Sequence, residues 1–195
     1  MAETRQRPGR PRDTTIDQRA LAATRELLVE RGFDATTIQA VAERAGVHAS
    51  ALYRRWPSRI ELIEEATFPG LNPLSVQPSG DLRRDLRRFI HAYLAVFNEP
   101  ASKAAAAGLL AHHQATIRPR TPEMYLRVSA RPQFQDILRA APPGSVDPAL
   151  NPDDAFDMLL GAILVRVLVP TTARRPVERT VEMMLRLLRT NPRQD

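Results

Sequence analysis

The chain has 195 residues, 43% of them hydrophobic, which suits one sizeable domain or a small module fused to a larger one and excludes a wholly disordered chain. It has no cysteine, so disulfides and thiolate metal sites are excluded and a reducing cytoplasm fits. The formal charge is +6, almost all of it arginine since Lys103 is the only lysine; that balance can be compositional, so local placement has to decide.

Residues 1–13 carry Arg5, Arg7, Arg10 and Arg12 among two prolines and a glycine, and read as a disordered basic arm rather than a secretory signal. From Thr14 the pattern turns helical: Ile16, Ala20, Ala23, Leu27 and Leu28 recur at helical spacing until Gly32 stops the run. Thr36 and Gln39 have the spacing of a capping box, which predicts a second helix from Thr37 with Ile38, Val41, Ala42 and Ala45 inward, ended by Gly46. A third helix is expected through Trp56, where Pro57 breaks it and Ser58 can cap a fourth over 59–68. Residues 69–80 are rich in proline, glycine and serine and read as a linker.

Beyond the linker the helices lengthen. Leu82, Leu86, Phe89, Ile90, Tyr93, Leu94 and Phe97 form one stripe, a small-residue helix follows at 101–116, and 121–141 reads as helical with a kink or restart at Pro132. A loop at 142–152 holds four prolines, and two last helices cover roughly 153–169 and 176–190. The most apolar run, 158–165 extended by 167–169, is shorter than the roughly 20 residues that span a bilayer, so no membrane is expected. No segment alternates like a strand, and the chain reads as all-α with about nine helices.

Two short helices joined at a glycine match a helix-turn-helix. Gly46 can take the positive φ that redirects the chain, Ala42, Val47 and Leu52 can pack beneath the turn, and the next helix keeps a free polar face. No acid occurs from Arg44 to Ile60. The major groove of DNA admits a helix of this kind, and the face offers His48, Ala49, Ser50, Tyr53, Arg54 and Arg55, with Arg59 just past the proline. Phe33, Thr36-Thr37-Ile38, Val41-Ala42, Ala45-Gly46-Val47, Leu52-Tyr53 and Trp56-Pro57-Ser58-Arg59 together resemble the N-terminal domain of TetR-family transcriptional repressors over about residues 15–67.

That resemblance implies roles position by position. Thr37 at the start of the second helix, Tyr53 and Arg59 would contact phosphates, while His48, Ala49 and Ser50 would lie nearest base edges. His48 stands where the family has a serine or threonine cap, Trp56 where it has phenylalanine and is expected to be buried, and Arg54-Arg55 replaces an aromatic or histidine pair. Arg55 is assigned to phosphate; Arg54 stays open between a base and a phosphate. Arg10 and Arg12 of the arm would follow a minor groove or the backbone.

The resemblance further implies that 14–68 is the DNA-binding domain and 81–195 a helical domain that binds an effector and dimerises. The helix near 153–169 is apolar almost all round, which calls for burial on several sides, and the last helix is amphipathic. Leu160, Leu164, Leu168, Val181, Met184 and Leu188 are the candidate dimer contacts; an ordinary core pair within one subunit is the other reading. Phe89, Tyr93, Phe97, His113, Met124, Tyr125 and Phe134 could line a pocket, although aromatic stripes more often form core. His112 and His113 point about 100° apart on a helix and have no partner at ligand spacing, so no metal or cofactor is expected.

The expected function is a homodimeric, cytoplasmic, nucleoid-associated regulator, a repressor released from a near-palindromic double-stranded DNA operator by a small, partly apolar effector. A DNA-binding regulator or architectural protein without an effector is the alternative. A helical enzyme is remote, because the carboxylates are scattered and no nucleophile or phosphate-loop motif occurs.

Overall fold

The computed structural model describes residues 14–68, 76–115, 130–169 and 175–189. Among the described residues the chain is all-helical, with nine helices and no strand: α1 Thr14–Ala35, α2 Ile38–Ala45, α3 Ala49–Tyr53, α4 Arg59–Thr67, α5 Leu82–Asn98, α6 Pro100–Ala115, α7 Arg131–Arg139, α8 Pro152–Leu168 and α9 Pro176–Leu188.

Local chemistry explains most boundaries. In α1 the helical path is broken at Gly32 (φ 76°, ψ −178°), and one more turn carries Phe33 away from the helix axis. Thr36 does not cap α2 as the sequence pattern suggested. It is buried, its hydroxyl donates back to the Gly32 carbonyl at 2.8 Å, and Thr37 takes the cap instead, accepting from the Ala40 amide at 3.1 Å. The Thr36 bond is the same one, to the carbonyl four residues back, that Thr24 makes to Ala20 and Thr67 to Ile63. Gly46 ends α2 in the left-handed region (φ 64°, ψ 42°), as the turn requires. The third helix is shorter than expected and does not reach Trp56: the amides of Arg55 and Trp56 both donate to the Leu52 carbonyl at 2.8 Å, closing a tight turn ahead of Pro57. Ser58 caps α4 through the Glu61 amide at 3.2 Å.

In the second half, Asp81 caps α5. The buried Asp85 is satisfied by the amide and hydroxyl of Ser79, each at 2.7 Å. Pro132 lies in the first turn of α7 and so begins a helix rather than kinking one; residues 116–129 of the expected 121–141 helix lie outside the described residues.

The helices pack around two main cores. Ala20, Leu27, Val41, Leu52, Trp56 and Leu62 centre the first, formed by α1 to α4. The larger one joins α5, α7, α8 and α9 around Phe89, Phe134, Phe156 and Leu159. A smaller apolar cluster welds them: Leu28 of α1 and Ile63 of α4 meet Ala101, Ala105 and Leu109 of α6. The approach is closest at Gly108, where a β-carbon would overlap the ring of Phe33. Ser102 of α6 donates to the Thr67 carbonyl at 2.8 Å, and His113 Nε2 lies 2.8 Å from Glu64 Oε1. No helix among the described residues is long and apolar enough to cross a membrane.

Candidate nucleic-acid interface

The turn at Gly46 presents α3 with two unlike faces. Ala51, Leu52 and, just past the helix, Trp56 are buried, at 8%, 0% and 2% exposure, and fix it to the first core. His48, Ser50, Tyr53 and Arg54 are exposed and Ala49 is half-buried. The side chains of His48, Ser50, Tyr53 and Arg54 make no hydrogen bond or ion pair among the described residues. His48 occupies the cap position of α3 without donating or accepting a capping bond. Thr37 is exposed at the start of α2, its hydroxyl oxygen already accepting from Ala40.

The arginines of the acid-free window do not share one environment. Arg44 turns back to α1 and bonds Glu30 at 2.7 Å and Glu26 at 3.2 Å; these bonds raise its pKa, and Arg44 in turn lowers that of Glu30. Arg59 donates to the carbonyls of Phe33 at 3.2 Å and Asp34 at 3.1 Å, with its guanidinium 4.6 Å above the Phe33 ring. Arg55 donates Nε to Asp17 and Nη1 to the Ala51 carbonyl at 3.0 Å. Within this window, Arg54 is the arginine with no protein partner among the described residues. Asp17 and Arg19, which donates to the carbonyls of Ala45 and Gly46, also bear on the turn. Sequence reading passed over both, because a contact across 26 to 38 residues leaves no local pattern. Arg10 and Arg12 lie outside the described residues.

The described residues among the pocket candidates divide between two places. Phe89, Tyr93, Phe97 and Phe134 are buried and pack ring to ring with Phe156, at centroid separations of 5.3 to 6.0 Å, filling the space they were expected to line. Burial pushes the Tyr93 phenol well above its ordinary pKa. His113 is elsewhere, on Glu64 at the α4–α6 contact, and Met124 and Tyr125 lie outside the described residues. An open groove of about 630 Å³ runs between α1, the end of α4 and the α5–α6 junction, past Val29, Ala66, Val96 and Ala101.

The dimer candidates also divide. Leu160, Leu164 and Leu168 are half-buried, whereas Val181, Met184 and Leu188 are buried inside the chain's own core. The regular stripe of α9 faces α5 and α8, so those three residues have no surface left to offer a partner. Exposed apolar surface lies off that stripe, at Met158 and Val165 of α8, Val169 just past its end and Met183 of α9, each more than half exposed.

Residues 20–66 match the family model described as bacterial regulatory proteins, tetR family, and residues 76–187 the model described as a tetracyclin repressor-like C-terminal domain. An uncharacterised HTH-type transcriptional regulator of Mycobacterium bovis is 29% identical over 196 residues, 91% of this chain and 86% of that protein. One from Bacillus subtilis is 40% identical over 58 residues, 30% of this chain and 29% of that protein. Among solved structures, a TetR-family transcriptional regulator of Haemophilus influenzae aligns with a TM-score of 0.64 at 16% identity, over 93% of this chain and 100% of that one. A TetR-family regulator of Rhodococcus sp. gives 0.62 at 17% identity, over 89% and 98%.

Proposed function

The chain belongs to the TetR family of DNA-binding transcriptional regulators, and from that premise we propose that it is a homodimeric, cytoplasmic repressor released from a near-palindromic operator by a small effector. The observation that carries the DNA-facing part is the outward face of α3: His48, Ser50, Tyr53 and Arg54 are exposed and without protein partners among the described residues, on a helix held by its opposite face. His48, Ala49 and Ser50 stand at the end that approaches base edges, Tyr53 and Thr37 flank it towards the backbone, and Arg54 is placed for a base or a phosphate. Arg59 holds the Phe33 and Asp34 carbonyls with Nη1 alone, which leaves its other guanidinium donors for a phosphate.

In this reading 14–68 binds DNA, 69–80 links, and 81–195 binds effector and pairs with a second copy. The α6 contacts support coupling between the two units: Gly108 on Phe33, Ser102 on Thr67 and His113 on Glu64 make a shift of α6 felt at α1 and α4. An effector acts by binding one arrangement of the two units better than the other. The groove between them, or a site opened among the rings of Phe89, Tyr93, Phe97 and Phe134, would serve.

The test is selection of bound fragments from a random double-stranded DNA pool by the full-length protein. Two half-sites about 34–36 Å apart are expected; no enrichment even at low salt would overturn the reading. On the selected site, Arg54→Ala should relax preference at one position, by about 1–3 kcal/mol, if it reads a base. A uniform loss across sequences assigns Arg54 to phosphate, the pattern expected of Tyr53→Phe.

The ring-to-ring packing of the aromatic cluster favours a second reading, a regulator with no small effector. A thermal-shift screen with small apolar compounds separates the two: stabilisation supports an effector, and a uniformly flat screen supports the second reading.

A further inference from the structure

We infer that Asp17 and Arg19 of α1, together with Arg55, form a clamp that positions the recognition helix, and that Arg55 acts through Asp17 rather than on the DNA backbone. The inference rests on α3 being the DNA-reading helix. That helix has five residues, and its cap position is filled by His48, which makes no capping bond. A helix so short has no stability of its own. Its direction must therefore come from the core beneath it and from what grips its two ends.

At the entry end, Arg19 reaches over from α1 and donates to the carbonyls of Ala45 and Gly46, satisfying acceptors that the end of α2 leaves open. The same guanidinium fills the space beside Gly46: a β-carbon there would lie 2.7 Å from Arg19 Nη2. Glycine is required at 46 for its backbone angle (φ 64°), and a β-carbon there would also push the end of Arg19 out of its place. At the exit end, Arg55 spans from the Ala51 carbonyl of α3 to the Asp17 carboxylate of α1.

The burial of the pair decides Arg55's role. The Arg55 and Asp17 side chains keep 13% and 17% of their surface, whereas the next-door Arg54 is exposed and bonds nothing among the described residues. Successive helical residues point about 100° apart, so two adjacent arginines can take opposite duties. Arg54 faces outward, and Arg55 ties the back of the helix to α1. A phosphate contact by Arg55 would have to draw the guanidinium away from the Asp17 carboxylate and the Ala51 carbonyl, or share it with them.

The experiment measures affinity for the selected DNA site as a function of salt, with thermal melting alongside, for Asp17→Asn, Arg55→Gln, Arg19→Gln and the exchange Asp17→Arg with Arg55→Asp. A loose supporting shell is expected to weaken specific binding about tenfold or more in each single variant. The slope of log affinity against log salt should stay at the wild-type value, because no phosphate contact is lost. The exchange should bind more tightly than Arg55→Gln, since it restores the ion pair, while staying below wild type because an aspartate at 55 cannot donate to the Ala51 carbonyl. The inference is overturned if Arg55→Gln lowers the salt slope by about one while Asp17→Asn leaves affinity unchanged or improves it. It is equally overturned if the exchange binds worse than Arg55→Gln.

If Asp17→Asn or Arg55→Gln melts at the assay temperature, Arg55→Lys decides. It keeps the charge for a phosphate but cannot hold Asp17 and Ala51 with a planar fork, so weaker binding at an unchanged slope supports the clamp. Wild-type affinity at an unchanged slope overturns it. Wild-type protein that binds no DNA fails the functional reading itself; wild-type binding with a phosphate pattern at Arg55 fails the clamp alone.

Discussion

Replacing Trp56 by alanine is expected to destabilise the DNA-binding helices by about 3–5 kcal/mol, the range for deleting a large buried aromatic. The ring is 2% exposed and packs in the core that also holds Leu52 and Leu62, so its loss opens a cavity where α3, α4 and α1 converge. The indole nitrogen also donates to Glu65 Oε2 at 2.7 Å, and alanine leaves that carboxylate without its donor. Specific DNA binding should disappear under conditions where wild type binds tightly, because the apolar anchor of α3 is gone. Trp56→Phe keeps most of the ring and should retain folding with a smaller loss. Urea unfolding followed by circular dichroism is the measurement, since Trp56 is the chain's single tryptophan and the variants lack its fluorescence. An unchanged midpoint for Trp56→Ala would show that the ring is not an anchor.

The second large effect is expected from charge on the exposed stripe of α8. Met158 and Val165 are 62% and 61% exposed, lie seven residues apart on one face, and have Gly161 and Ala162 between them, small enough for a second helix to come close. Met158→Glu with Val165→Glu should leave the monomer folded, because neither side chain belongs to its core, yet convert a dimer to single chains. If the protein binds two half-sites as proposed, they are then no longer held together, and affinity for the selected DNA should fall by about 10²- to 10⁴-fold. Val181→Glu is the contrast: at 1% exposure it buries a charge in the chain's own core and should unfold the second half instead. Sedimentation separates the cases. A Met158→Glu/Val165→Glu protein that still sediments as a dimer would move the interface off this face.

The two cases show what was readable in the sequence. The helical class, the Gly46 turn and the Ser58 cap were legible because each rests on a residue whose backbone preference or side-chain bond acts within a few positions, whereas α3 ends at Tyr53, ahead of the break expected at Pro57. Thr36 and Thr37 were not separable, since either can cap and a threonine hydroxyl can equally turn back to the carbonyl four residues before it, as Thr36 does. Periodicity found the amphipathic stripe of α9 but not its partner: Val181, Met184 and Leu188 face the chain's own core, and the exposed methionines and valines lie off the stripe. The aromatic residues of α5 and α7 were open to the same ambiguity, because rings that line a cavity and rings that fill it recur at one spacing. Arg54 and Arg55 are identical neighbours in the sequence, and only Asp17, 38 residues away, makes them different.

The contact of Gly108 with Phe33 limits how the two units can move. The neighbours of Gly108 on α6 all carry side chains, and the ring they would meet is held from its face by the Arg59 guanidinium. Sliding α6 along its own axis would drive one of those side chains into the ring. The close approach at Gly108 therefore opposes a change of register between α6 and α1, so that any relative movement of the two units is left chiefly to changes of angle.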